Sequence, residues 1–190
     1  MSVSVHSRLL SFGIIEGGAK TVFDALMDVV GPTGTVIFPT YTFYLDSEAI
    51  YDPSITESRE VGALSEYARI QPTMQRTLCP MHGHSISGPN SQLILNGDFT
   101  RSLGEYSAFD EMHKGGFYLL LLGCNFIEGG TFVHHVEASV GVPYRTWVNL
   151  KRKIRFSDGE VKDIILRHYA MSLDTYLIKN FSKVETDMKK

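Results

Sequence analysis

The stretch FYLLLLG at 117–123 constrains this chain most. It is short, apolar on both faces and closed by a glycine, the pattern of a strand buried between two layers of helices, so it is read as the central strand of a sheet. A bilayer-spanning helix needs about 20 apolar residues, and this run is far too short for one. The rest of the chain supplies the helices. After the short run SVSVH and the loop-like RLLSFGIIEGG comes AKTVFDALMDVVG, where Val22, Phe23, Leu26, Val29 and Val30 fall at helical spacing and Gly31 and Pro32 end the pattern. GPTGTVIFPTYTF then turns β-branched and aromatic, so this unit reads loop, helix, turn, strand. Residues 44–59 form a long polar loop, VGALSEYARIQ a second helix, and RTLCPMHGHSISGPNSQLIL a strand-rich or irregular stretch punctuated by Pro80, Gly83, Gly88 and Pro89. LKRKIRFSDGEVKDIILRHY alternates in two runs around Asp158 and Gly159, a hairpin signal, and the tail NFSKVETDMKK reads as frayed. The expected architecture is α/β: three layers, α/β/α, with a central mixed sheet and a C-terminal β-hairpin.

Composition narrows the function classes. With 190 residues, 43% hydrophobic and 21% charged, the chain is expected to form one domain over 1–190. A net charge of −3, with the acidic residues spread, provides no basic footprint for nucleic acid and tolerates a cationic small substrate. The two cysteines, Cys79 and Cys124, lack metal or redox spacing, so a reducing compartment is the default. MSVSVHSRLLSFGII carries no signal-peptide pattern, and the expectation is a cytoplasmic protein without membrane attachment.

Chemistry concentrates in TFVHHVEASVGVPYR, 131–145. A helix starting at about Thr131 puts His134 and Glu137 three apart on one face, just past a strand end, where ligand crevices form in open α/β sheets. The carboxylate would fix the imidazole tautomer and favour its charged form, while the helix N-terminus favours the neutral ring. Those opposed effects suit a general base near neutral pH. The bland alternative, a solvated polar face, is the one that spacing alone favours. His135 points about 100° away and reads as a packing histidine. His82 and His84 share a strand face, and a zinc site could join them to His134, His135 and Glu137; no aspartate follows where metallohydrolase signatures place one, so no metal is expected. Cys124 could act as a nucleophile with His134 as its base, although a buried inert thiol is the usual outcome. Gly17 and Gly18 precede a helix and could present backbone N–H groups to a phosphate.

Taken in order along the chain, HSRLLSFGIIEGGAKTVFDALMDVVGPTGTVIFPTYTF, DPSITESREVGALSEYARIQPTMQRTLCP and TFVHHVEASVGVPYR closely resemble the aminoglycoside N(3)-acetyltransferase family, over roughly residues 3 to 150. The most specific part is Thr131, His134 and Glu137 followed by Gly141-Val142-Pro143-Tyr144-Arg145; the HS…SFG…GGA opening is second. The resemblance implies an acetyltransferase antibiotic-resistance activity: acetyl passes from acetyl-CoA to an amine of an aminoglycoside or related amino sugar, without an acyl-enzyme. It further implies His134 as the base, oriented by Glu137, with Thr131 near the thioester. His6, Ser7, Gly17 and Gly18 would line the pantetheine and pyrophosphate path. The sequence departs from the family where it starts almost at the HS segment and stops early, which reads as a short or truncated member. It departs again at Cys79-Pro80, where histidine commonly precedes the proline and His82 or His84 would have to substitute. The competing readings are a non-catalytic CoA-binding relative and a zinc hydrolase.

Overall fold

In SVSVHS the valines and the polar residues alternate, and in the computed structural model, which describes residues 1–171, this is strand β1, Ser2–Ser7. Val3 and Val5 face one side of the sheet, where they pack with Phe23, Val36, Phe38, Leu64 and Ala68. The following helix α1, Gly18–Val30, and strand β2, Thr35–Pro39, complete a parallel β–α–β unit in which Val3 stands opposite Val36. A two-residue strand β3, Ile50–Tyr51, interrupts the long loop, and helix α2, Ala63–Arg69, packs beside α1. Strands β4, Gln75–Arg76, and β5, His84–Ser87, run antiparallel to their neighbours, so the sheet is mixed.

The opposite face is covered by helices α3, Ser91–Leu95, and α4, Ala108–Lys114. There Ile37, Ile86, Ile94, Leu103, Phe109 and Met112 form the second core cluster. Strand β6, Tyr118–Leu122, returns to the sheet and pairs parallel with β1. A short helix α5, Phe126–Gly129, is closed by a capping box between Asn125 and Glu128, and helix α6, Val133–Val140, follows. The hairpin of β7, Arg145–Arg155, and β8, Val161–Met171, pairs from Arg145 opposite Met171 to Arg155 opposite Val161, and forms a second sheet with β3 in the order β3-β7-β8. The three-layer architecture with a mixed sheet and a C-terminal hairpin is therefore present. No described helix is long and apolar enough to cross a membrane. The tail NFSKVETDMKK lies outside the described residues.

One expectation is corrected. The five-stranded sheet runs β4-β5-β2-β1-β6, so FYLLLLG is the edge strand of the described sheet and not its centre, and Tyr118 is 67% exposed. Both of its faces are indeed apolar: Leu120 and Leu122 join the cluster beneath α1, while Leu121 packs against Gly129. β1 lies between β2 and β6, and its serines imitate the outward face of a half-exposed strand. Ser2 and Ser4 are buried nonetheless.

Candidate active site

α6 begins two residues later than expected, and Thr131 stands just before it, its carbonyl accepting the His134 backbone N–H at 3.0 Å. His134 and Glu137 share one helix face as their spacing requires, with His134 Nδ1 2.7 Å from Glu137 Oε2. The helix ends at Gly141, which adopts the left-handed conformation (φ 67°) that a glycine tolerates without strain. That turn sends the chain back across the helix, and Tyr144 donates its hydroxyl to Glu137 Oε1 at 2.8 Å. Arg145 Nε lies 2.6 Å from Glu137 Oε2, an ion pair whose N–H is not aligned as a hydrogen bond, and Nη2 lies 2.8 Å from His134 Nδ1. Arg145 Nη1 donates to the Tyr169 carbonyl at 3.0 Å. The side chains of Glu137 and Arg145 are 7% and 6% exposed and that of His134 29%, so a buried carboxylate is compensated by a buried guanidinium while the imidazole reaches solvent.

The proton positions follow from chemistry. Nδ1 stands between a carboxylate that only accepts, at 2.7 Å, and the Arg145 Nη2 that only donates, at 2.8 Å; in the tautomer that donates from Nδ1 to Glu137, Nε2 is the basic nitrogen of the neutral ring. Arg145 then acts on Nδ1 as a neighbouring charge. The roles of Tyr144 and Arg145 were missing from the residue-by-residue sequence reading, although GVPYR directly after the helix was the signal that could have found them.

A cavity of about 320 Å³ is lined by His6 and Ser7 at the end of β1, by Tyr41 and Gly62, and by Cys124 and Thr131. A second hollow of about 510 Å³ shares Ser7, Arg8 and Gly62 with it and continues to Gly18 at the start of α1. Gly18 has positive φ (60°), and the space where a Cβ would stand is open. His6, Ser7 and Thr131 are thus brought together in one cleft and Gly18 into its extension. Gly17 caps α1 outside that lining, and His134 and Glu137 border neither cavity, His134 lying about one helical turn beyond Thr131 and Glu137 a further turn on. Arg8 and Glu128, which form an ion pair, also line the first cavity and were not singled out from sequence. Burial pushes His6 down to about 4, so its ring is neutral at pH 7. Burial raises Cys124, and its thiol donates to the His6 carbonyl at 3.5 Å, which disfavours a thiolate nucleophile.

The remaining histidines are packing groups. His82 and His84 stand edge-on to Tyr41 with ring centroids 5.0 and 5.5 Å away, and both contact Phe109. His135 packs between His113 and Phe132, as its place on the helix face required. Among the described residues, no three His, Cys, Asp or Glu side chains are arranged to hold a metal ion. Burial lowers His82 well below its ordinary range, His84 to about 3, and His168 to about 4. These rings are neutral when folded and take up protons at about 6.5 when unfolded, so the unfolded chain binds more protons between those limits. Stability should therefore be fully present above pH 6.5 and fall as the pH drops from 6.5 toward 4; thermal melts across that range check this, and a flat Tm would refute it.

The model of the family described as aminoglycoside 3-N-acetyltransferase matches residues 5–190. The chain belongs to this family. It is 30% identical over 177 residues to aminoglycoside N(3)-acetyltransferase III of Salmonella sp, covering 83% of this chain and 61% of that protein. It is also 30% identical over 171 residues to the SPbeta prophage-derived aminoglycoside N(3')-acetyltransferase-like protein YokD of Bacillus subtilis (strain 168), covering 78% and 62%. The chain thus spans about three fifths of the length of these curated relatives. The crystal structure of YokD from Bacillus subtilis superposes with a TM-score of 0.80 at 27% identity, covering 90% of this chain and 76% of that one. The structure of AAC-IIIb in a binary complex with CoASH gives 0.84 at 20% identity, covering 99% and 77%, which shows the same fold.

Proposed function

We propose that this family member transfers acetyl from acetyl-CoA to an amine of an aminoglycoside or related amino sugar, with His134 as general base, and that it acts in the cytoplasm, where that donor is available. The observation that carries this reading is the buried Glu137 carboxylate 2.7 Å from Nδ1, which orients Nε2 as the proton acceptor. Amino-sugar amines are largely protonated at neutral pH, whereas attack on a thioester needs the neutral amine. A positioned base contributes about 10² to 10⁴ in rate to such a step. Confining both reactants can contribute as much again.

The residues fit the donor. Acetyl-CoA supplies the acetyl group already activated as a thioester. The cleft lined by His6, Ser7 and Thr131 shares Ser7, Arg8 and Gly62 with the hollow that reaches Gly18 at the N-terminus of α1. Backbone N–H groups at that terminus, with Gly18 leaving no side chain in the way, would hold the phosphates. Thr131 would offer its hydroxyl beside the thioester, and Tyr41, fully buried against Thr131, backs it. Among the solved relatives, AAC-VIa is bound to sisomicin, which supports the acceptor class.

The test is isothermal titration of acetyl-CoA into the purified chain, followed by thiol release on adding aminoglycosides or simpler amino sugars. Saturable one-site binding and acceptor-dependent thiol release are expected. A folded protein that binds no acetyl-CoA would overturn the reading.

A further inference from the structure

A carboxylate beside a histidine base does two things that conflict. It fixes the tautomer, and it stabilises the imidazolium, which cannot accept a proton. Glu137 is buried and 2.7 Å from Nδ1, a geometry in which that trapping should be strong. Yet Arg145 Nε contacts the same oxygen that His134 uses, at 2.6 Å, and its Nη2 stands 2.8 Å from Nδ1 itself. We infer that Arg145 is a positioning residue that neutralises Glu137, so that the carboxylate orients His134 without holding it as the imidazolium. This rests on His134 being the base.

The placement of Arg145 is built into the fold. Gly141 reverses the chain after α6, Tyr144 takes up the other Glu137 oxygen, and Arg145 is anchored across the hairpin on the Tyr169 carbonyl. Tyr169 in turn donates its hydroxyl to the Val142 carbonyl at 2.8 Å, tying β8 to the same turn. Among the described residues, the groups facing His134 include Glu137 from its own helix, Tyr144 and Arg145 from the start of β7 and the turn before it, His168 from β8, and His82 from the segment before β5. Burial lowers His82 well below its ordinary range and His168 to about 4, so among these neighbours the charged ones near neutral pH are Glu137 and Arg145.

Two readouts test the inference: the acidic limb of kcat/KM against pH, and the His134 ring titration followed by NMR, which needs no turnover. In Arg145→Met both should move upward by about one pH unit, because a positive charge beside the ring is lost. Arg145→Lys keeps the charge and should restore the limb toward its wild-type position. If Arg145→Met does not fold, Arg145→Gln decides: it loses the charge but keeps a donor for the Tyr169 carbonyl, and limb and titration should again move upward. A limb and titration that stay put in whichever variant decides would overturn the inference and leave the base reading standing. That reading fails separately if His134→Ala is fully active.

Discussion

Replacing His134 with alanine should lower kcat by about 10² to 10⁴ while leaving acetyl-CoA affinity close to wild type. The two halves of this expectation come from different parts of the site. The ring borders neither cavity of the proposed donor path, so its removal leaves that lining intact. Its side chain is 29% exposed, and Glu137 keeps both Tyr144 and Arg145 as partners, so the fold should tolerate the loss. Steady-state kinetics with calorimetric titration of acetyl-CoA separates the two. A folded variant with full turnover would remove His134 from the mechanism. A thiol nucleophile makes a further forecast: Cys124→Ala would abolish turnover and acetyl-enzyme would accumulate without acceptor, whereas direct transfer predicts neither.

Glu137→Leu should be the most destabilising change in the site, by about 3 to 5 kcal/mol, since removing one partner of a buried ion pair strands the other charge. The stranded group is Arg145, whose side chain is 6% exposed and whose charge cannot reach water without breaking its bond to the Tyr169 carbonyl. Two further partners are lost with it, the Tyr144 hydroxyl and His134 Nδ1. For a domain of this size the penalty corresponds to a fall in Tm of roughly 10 °C. Glu137→Gln keeps the shape and a hydrogen-bonding oxygen, and should be milder than Glu137→Leu in stability and milder than His134→Ala in rate. Thermal or urea melts of the three proteins check the order; a Glu137→Leu protein as stable as wild type would show that the buried pair is not a structural unit.

The two expectations depend on features that differ in how legible they were. Helical spacing in AKTVFDALMDVVG, the turn at Asp158 and Gly159, and the i, i+3 relation of His134 to Glu137 are local properties of the backbone period, and each appears where the residues placed it. The ordered resemblance from HSRLLSFG to GVPYR likewise reached the family without coordinates. Even the packing role of His135 followed from its 100° offset on the helix.

Strand order was a different matter. FYLLLLG is apolar on both faces, yet its leucines are only partly buried, and hydrophobicity cannot say whether a second strand pairs with its far edge. SVSVHS lies between two strands with small serines on one face, a pattern that alternation alone assigns to a half-exposed strand. The same limit hid Arg145. The amino-acid sequence by itself determined helices α1 and α2, the terminal hairpin, the helix face carrying His134 and Glu137, and the family. Only the tertiary structure decided that β6 stands at an edge and that a left-handed turn at Gly141 folds Tyr144 and Arg145 back onto Glu137, because pairing partners and buried charge compensation arise from contacts between segments, and no local period encodes them.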